Sequence, residues 1–134
     1  MISALDIGAS GLKAQRLRLD TIAQNVANAT TTRDAQGRPN PYQRRFVVMS
    51  EGRAGHPELA GVHVKSIEKD AAEFRRRFEP GHVDADREGY VKYPNVDLGV
   101  EFVNALEATR AYEANITMME TTKAMFNATL RLIA

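Results

Sequence analysis

All five prolines of this 134-residue chain lie between Pro39 and Pro94, so neither end contains the strongest helix breaker. In the first 33 residues, leucine or valine recurs at intervals of seven, with further apolar residues three positions later. This spacing is typical of a coiled-coil seam and predicts one long amphipathic helix from about Ile2 to Ala29. The candidate packing residues on this helix are Leu5, Leu12, Leu19, Ile22 and Val26.

The last part of the chain, residues 95–134, predicts a second long helix. Asn95 or Asp97 can cap its start, and no proline or glycine follows Gly99. Adjacent rows of apolar residues repeat every seven positions and form a stripe wider than one partner helix covers. The candidate packing residues on this helix are Phe102, Leu106, Tyr112, Ile116, Met119, Phe126 and Leu130.

The middle segment, residues 34–94, combines glycine and proline turns with short runs that are typical of β-strands. These runs cover residues 45–49, 62–67, 74–78 and 90–93. The predicted fold is therefore mainly α, with a small β-rich insert between two long, coiled-coil-like amphipathic helices. The sequence divides into residues 1–33, 34–94 and 95–134, which we expect to form one structural unit.

Composition and charge exclude several functions. The chain has 18 basic and 17 acidic residues, so it lacks the basic excess of a dedicated nucleic-acid binder. It contains no cysteine, which excludes disulfides, thiolate chemistry and cysteine-ligated metals. Its first residues lack the basic and apolar regions of a cleaved signal peptide. No apolar run reaches the ~18–20 residues of a membrane span.

Three polar clusters carry only weak functional signals. His82, Asp84 and Asp86 alternate as calcium ligands sometimes do, but the glycine comes late and no closing glutamate follows. A polar turn is the favoured interpretation. The three histidines lack a metal-binding or catalytic spacing. Arginines 75–77 and their flanking phenylalanines resemble a nucleic-acid contact, but nearby carboxylates favour a solvated edge or a partner contact. We therefore predict no catalytic residue, metal, cofactor, nucleic acid or small-molecule substrate.

Asn25 and Asn28 lie three positions apart and therefore near one face of the first helix. Each amide can both donate and accept hydrogen bonds. We expect these side chains to tie the end of the helix to the connector or to a neighbouring subunit. The alternative is a pair of solvated residues at a helix end.

The two apolar stripes exceed what the middle segment can cover. Exposed apolar patches of this length usually mark interaction surfaces. We therefore expect both ends to be weakly ordered in the isolated chain and to fold by packing against other subunits.

Three parts of the chain, its N-terminal region, its connector and its C-terminal region, resemble the family of bacterial flagellar rod and hook proteins. Residues 10–15 and 19–31, with the kernel Asn-Val-Ala-Asn at 25–28, resemble its N-terminal signature, and residues 96–115 resemble its C-terminal signature. Residues 78–82 and 89–97 resemble the connector of a proximal-rod member, and the length and order match from end to end.

This resemblance implies a non-enzymatic structural subunit of the proximal flagellar rod, the drive shaft in the basal body. It implies that the terminal helices line an inner tube and pack against copies of the chain and other rod proteins. It also implies export, without a cleaved signal, through the flagellar type III apparatus into the periplasm, near peptidoglycan. A function of another class, a helical adaptor or chaperone-like module of the export pathway, would share the amphipathic ends and remain in the cytoplasm.

Overall fold

The computed structural model describes residues 2–56 and 59–133, which form two helices and four strands. The elements in chain order are α1 (Ile2–Ala27), β1 (Arg45–Glu51), β2 (Val62–Lys69), β3 (Arg75–Phe78), β4 (Tyr90–Tyr93) and α2 (Leu98–Ile133). The helices contain 26 and 36 residues, less than half of the chain. The predicted order of helix, β-rich insert and helix is confirmed, but the class "mainly α" is only partly right, because the connector takes up so much of the fold.

The helix ends follow from local hydrogen bonds. α1 ends at Ala27, two residues earlier than predicted, because the chain turns there: the amide of Thr31 donates to the carbonyl of Asn28 at 3.1 Å. α2 begins after Asp97, whose Oδ1 accepts the amides of Gly99 at 2.8 Å and Val100 at 3.3 Å. Asp97 is therefore the N-cap of α2 and satisfies two of the free donors of its first turn.

The connector contains two antiparallel hairpins, each of two strands. β1 pairs with β2, and the register of this pair shifts between Val48 and Met49. β3 pairs with β4 without a shift, with Arg75 opposite Tyr93 and Phe78 opposite Tyr90. All four strands agree with the predicted runs to within two residues. Short β-type runs between glycine and proline turns were therefore sufficient to locate them.

α1 and α2 pack as an antiparallel pair at unusually short range. An added Cβ on Gly8 would lie 2.6 Å from Cγ of Met119, and one on Gly11 would lie 2.8 Å from Nδ2 of Asn115. Further along the pair, Arg18 contacts Glu107 at 3.1 Å. The absence of a side chain at Gly8 and Gly11 therefore leaves room for side chains of α2, and a larger residue at either position would contact them too closely.

The buried side of α1 differs from the predicted coiled-coil seam, which the structure does not show. Ile22 is buried, but Leu5, Leu12 and Leu19 are only half-buried and Val26 is 45% exposed. The reason is that α1 packs against β1 and β2 as well as against α2. The buried side of α1 therefore lies between its contact with α2 and its contact with the β1–β2 hairpin. The buried apolar residues are Ala14, Ile22, Val91, Val96 and Ala108.

The last turns of α2 extend beyond the start of α1. Because Met119 lies against Gly8, Met125 lies opposite Ile2, the first residue of α1, and residues 126–133 extend past it. We call residues 125–133 the α2 tip. Its large apolar side chains are 42–88% exposed: Met125, Phe126, Leu130, Leu132 and Ile133. Over the described residues, neither helix is long and apolar enough to cross a membrane.

Replacing Gly8 by isoleucine tests the close approach of the helices. We expect Gly8→Ile to destabilise the chain by about 1–3 kcal/mol, because the new side chain overlaps Met119. Urea unfolding followed by far-UV circular dichroism measures the change. Ala23→Ile is the matched control, because Ala23 is exposed on the same helix. Equal effects of the two substitutions would contradict the close packing.

Candidate functional site

The side chain of Asn25 joins three elements at the base of the helix pair. It is fully buried, and its Nδ2 donates to the carbonyl of Arg45 at 2.7 Å and to Oε2 of Glu101 at 3.1 Å. Its Oδ1 accepts the amide of Arg45 at 3.0 Å and the hydroxyl of Tyr42 at 2.9 Å. One amide group thus connects the end of α1 to the start of β1 and to the first turn of α2.

Glu101 is also fully buried and is neutralised by Arg44. The Nε of Arg44 donates to Oε1 of Glu101, and its Nη1 donates to Oδ2 of Asp70 at 3.1 Å. Burial lowers the pKa of Arg44, but its hydrogen bonds to the two carboxylates outweigh this and raise the pKa above its usual value. The guanidinium therefore stays charged and compensates a carboxylate whose unpaired burial would cost several kcal/mol.

Asn95 fastens the connector to the same place. Its Oδ1 accepts the amide of Arg44 at 2.8 Å, and its Nδ2 donates to the carbonyls of Asp70 at 3.2 Å and Ala72 at 3.0 Å. Asn95 is thus a tether and not the N-cap of α2. We call the group Asn25, Arg44, Asn95 and Glu101 the junction clamp.

The two asparagines of the N-terminal kernel have different roles. Asn25 ties α1 to the connector, one of the expected arrangements. Asn28 makes local bonds only: its Nδ2 donates to the carbonyl of Gln24 at 2.9 Å, and its Oδ1 accepts the hydroxyl of Thr31 at 3.2 Å. The sequence analysis identified neither Arg44 nor Glu101 as a member of this site. The one weak signal was an acidic residue in the first turn of α2, where the helix dipole favours it.

The structure separates the predicted packing residues into three groups. Two are buried, Ile22 and Asn25. Six are half-buried: Leu5, Leu12, Leu19, Asn28, Tyr112 and Met119. Six are exposed: Val26, Phe102, Leu106, Ile116, Phe126 and Leu130. The exposed group is available for contacts with other molecules, whereas the half-buried group contributes to both the fold and the surface.

The acidic cluster near His82 is a set of turn residues. Asp84 accepts hydrogen bonds from Nε of Arg33 at 2.8 Å and from the hydroxyl of Thr32 at 2.9 Å. Oδ1 of Asp86 accepts the amides of Glu88 and Tyr90, each at 2.9 Å. These contacts use the carboxylates to hold loops. Among the described residues there is no group of three or more histidines and carboxylates placed to hold a metal ion.

Two family models match the ends of the chain. The model described as "Flagella basal body rod protein" matches residues 5–33, and "Flagellar basal body rod FlgEFG protein C-terminal" matches residues 87–132. Flagellar basal-body rod protein FlgC of Borreliella burgdorferi is 36% identical over 99% of this chain and 97% of that protein. The FlgC proteins of Salmonella typhimurium and Bacillus subtilis are 39% and 37% identical, over 98% and 96% of this chain and 97% and 95% of theirs.

The chain belongs to the FlgC family of flagellar basal-body rod proteins. This is a structural family, and its members are not enzymes. The two matched segments contain three members of the junction clamp: Asn25 lies in the first, and Asn95 and Glu101 lie in the second. The clamp therefore joins the two parts of the chain by which the FlgC family is recognised, and Arg44 completes it from the connector between them.

Removing the amide of Asn25 tests the junction clamp. We expect Asn25→Ala to lower the free energy of unfolding by about 2–4 kcal/mol, because Glu101 and the backbone of Arg45 lose buried partners. The control is Asn28→Ala, which breaks local bonds only and should cost under about 1 kcal/mol. Urea unfolding measures both changes, and similar losses would contradict the proposed difference.

The contact of Asp84 with Arg33 predicts a dependence of stability on pH. The hydrogen bond from Arg33 lowers the pKa of Asp84 below its usual value. The folded state therefore gains stability above the pKa of an unfolded aspartate, about 3.9, and loses it as pH falls through the lower folded-state pKa. In urea unfolding, wild type should exceed Asp84→Asn at pH 6, and the difference should shrink toward pH ~2. A difference independent of pH would contradict this.

Proposed function

We propose that this chain is a structural subunit of the flagellar proximal rod that polymerises through the exposed apolar faces of α1 and α2 into the torque-transmitting shaft. The single observation that carries this proposal is the uncovered α2 tip. Phe126 and Leu130 follow Met119 by seven and eleven positions, which places them within about 20° of it around the helix. The side of α2 that packs on α1 therefore continues beyond the described start of α1, where Phe126 and Leu130 are 42% and 48% exposed.

The energy available at the tip is large enough for assembly. Full burial of a leucine, phenylalanine or methionine side chain contributes about 1.5–3 kcal/mol. The tip exposes five large apolar side chains, and Phe102 and Leu106 add more near the start of α2. A monomer rarely leaves so much apolar surface in water without a partner. Neighbouring subunits, both copies of this chain and other rod proteins, are the partners that we infer.

The junction clamp suits a component that transmits torque. In this proposal the helical segments, residues 1–33 and 95–134, form the inner part of the shaft, and the connector, residues 34–94, faces outward. A shaft requires that force on one segment is passed to the other. The buried bonds of Asn25 and Arg44 join both helices to the connector and support that requirement.

The proposal extends to transport and location. We infer that the subunit passes unfolded through the flagellar type III apparatus and joins the rod in the periplasm, where it lies near peptidoglycan. Helix ends that order only on assembly suit such a route. The competing function, an adaptor or chaperone-like module in the export pathway, predicts a protein that stays in the cytoplasm.

A clean deletion of the gene tests the proposed function. Basal bodies purified from the deletion strain should show rings without rod or hook, and the intact chain should restore both. Normal rods and hooks in swimming cells would overturn the proposal. Retention of the chain in the cytoplasm of a secreting cell would favour the adaptor.

Charged substitutions in the α2 tip test the assembly surface. We expect Phe126→Asp with Leu130→Asp to prevent rod assembly in the deletion strain, because burying unpaired carboxylates opposes the contact. The circular dichroism of the purified variant should stay unchanged, since both side chains extend beyond α1. Asn127→Asp, an exposed polar position in the same turn, is the control and should support normal motility. Normal rods with the double variant would contradict the role of the tip.

A further inference from the structure

One face of the β3–β4 hairpin is aromatic, basic and exposed. Arg76 lies opposite Lys92, and Phe78 lies opposite Tyr90, so these four side chains share one side of the two strands. All four are exposed, and Phe78 is 63% exposed. On the opposite side, Val91 is fully buried. The fold therefore buries Val91 on one face of this hairpin, and the other face stays exposed although Arg76 on it lies 3.7 Å from the carboxylate of Asp86.

The exposed side chains are held in place by one another. The rings of Phe78 and Tyr90 meet edge to face with centroids 5.3 Å apart. The guanidinium of Arg76 lies 5.8 Å from the centroid of the Tyr90 ring. Tyrosine and arginine are enriched at the centres of protein interfaces, and side chains that are already ordered lose little entropy on binding. We call Arg76, Phe78, Tyr90 and Lys92 the β3–β4 patch.

A complementary strip runs along α2 on the side away from α1. Leu106, Glu113, Ile116 and Glu120 lie within about 80° around the helix, and the middle of this strip is about 140° from Asn115. All four are exposed. The strip therefore offers two carboxylates between apolar side chains, which matches two cations beside two aromatic rings. We call these four residues the α2 strip.

Charge is distributed unevenly along the chain. Residues 34–94 contain 11 basic and 10 acidic residues, whereas residues 95–134 contain 3 basic and 5 acidic residues. Charge complementarity of this kind steers association and fixes the register of a contact. The near-zero net charge of the chain thus conceals an acidic C-terminal segment, residues 95–134, beside two weakly basic segments, residues 1–33 and 34–94.

The two surfaces cannot meet within one copy. The β3–β4 hairpin lies at the start of α2, where Arg75 contacts Asp97 at 2.8 Å. Glu113 follows Leu98 by 15 positions, about 22 Å along the helix. A contact between them therefore joins two molecules, and because the surfaces differ, it leaves one of each free for the next copy.

We propose that the β3–β4 patch of one copy docks on the α2 strip of a second copy. The inference rests on the proposed structural role and adds to it a specific contact, outside the α2 tip, through which successive copies are joined. Arg76 and Lys92 pair with Glu113 and Glu120, and the rings of Phe78 and Tyr90 cover Leu106 and Ile116.

Charge reversal on each surface, with mixing of the variants, tests this contact. One full-length variant carries Arg76→Glu and Lys92→Glu, and the other carries Glu113→Lys and Glu120→Lys. In each variant alone the two surfaces repel, so the concentration needed for self-association should rise at least about tenfold. In the mixture every contact is again between opposite charges, and association should return. Sedimentation velocity at low salt measures all three samples.

A matched control separates the contact from a general charge effect. Lys13→Glu with Arg16→Glu reverses two exposed cations on α1 and should leave association unchanged. The proposal is overturned if the reversed variants associate like wild type, if the mixture fails to recover, or if wild type stays monomeric at all concentrations. In these cases the imaging of deletion strains still decides the rod function by itself, so the two conclusions fail separately.

Discussion

The fold depends on the burial of one carboxylate at the junction of the helices and the connector. Glu101 is removed from water, and its charge is tolerable only where Arg44 and Asn25 reach it. A slip of α2 by one residue would turn Glu101 by about 100° and separate it from both partners. Apolar contacts alone would allow such slips at little cost. The clamp therefore selects one register of the helices among several that bury similar apolar area.

The two ends of the helix pair are built on different principles. At the base, polar bonds join α1, α2 and the connector, while toward the other end Gly8 and Gly11 admit the side chains of α2. Beyond them, the α2 tip continues the apolar side of the helix with its large side chains exposed. In our proposal, a subunit built in this way keeps its own shape through the clamp and uses its apolar tip to contact neighbours.

The sequence was sufficient to predict the elements but not the contacts between them. The confinement of proline to residues 39–94 predicted the two helical ends of the chain. Short β-type runs between glycine and proline turns predicted all four strands. The heptad spacing did not predict the buried side of α1, because that side depends on a second neighbour, the β1–β2 hairpin. The ion pair of Arg44 and Glu101 could not be predicted from local residue spacing, because the two residues are 57 positions apart in the chain. Asn25 and Asn28 share one motif, and only tertiary structure distinguishes them.

A polymer subunit needs surfaces that remain exposed after it has folded. In this chain such surfaces remain because only one side of α2 and one face of the β3–β4 hairpin are buried within the fold. α2 gives one side to α1 and leaves the opposite strip free, and the β3–β4 hairpin buries Val91 and leaves its aromatic side free. Since the free surfaces differ in charge, the contact that we propose between them is heterologous, and such a contact gives an open helical assembly when its rotation does not close a ring. A dimer built on identical surfaces would stop at two copies. In our proposal, it is the asymmetry of the free surfaces, and not their area, that allows this fold to form a shaft.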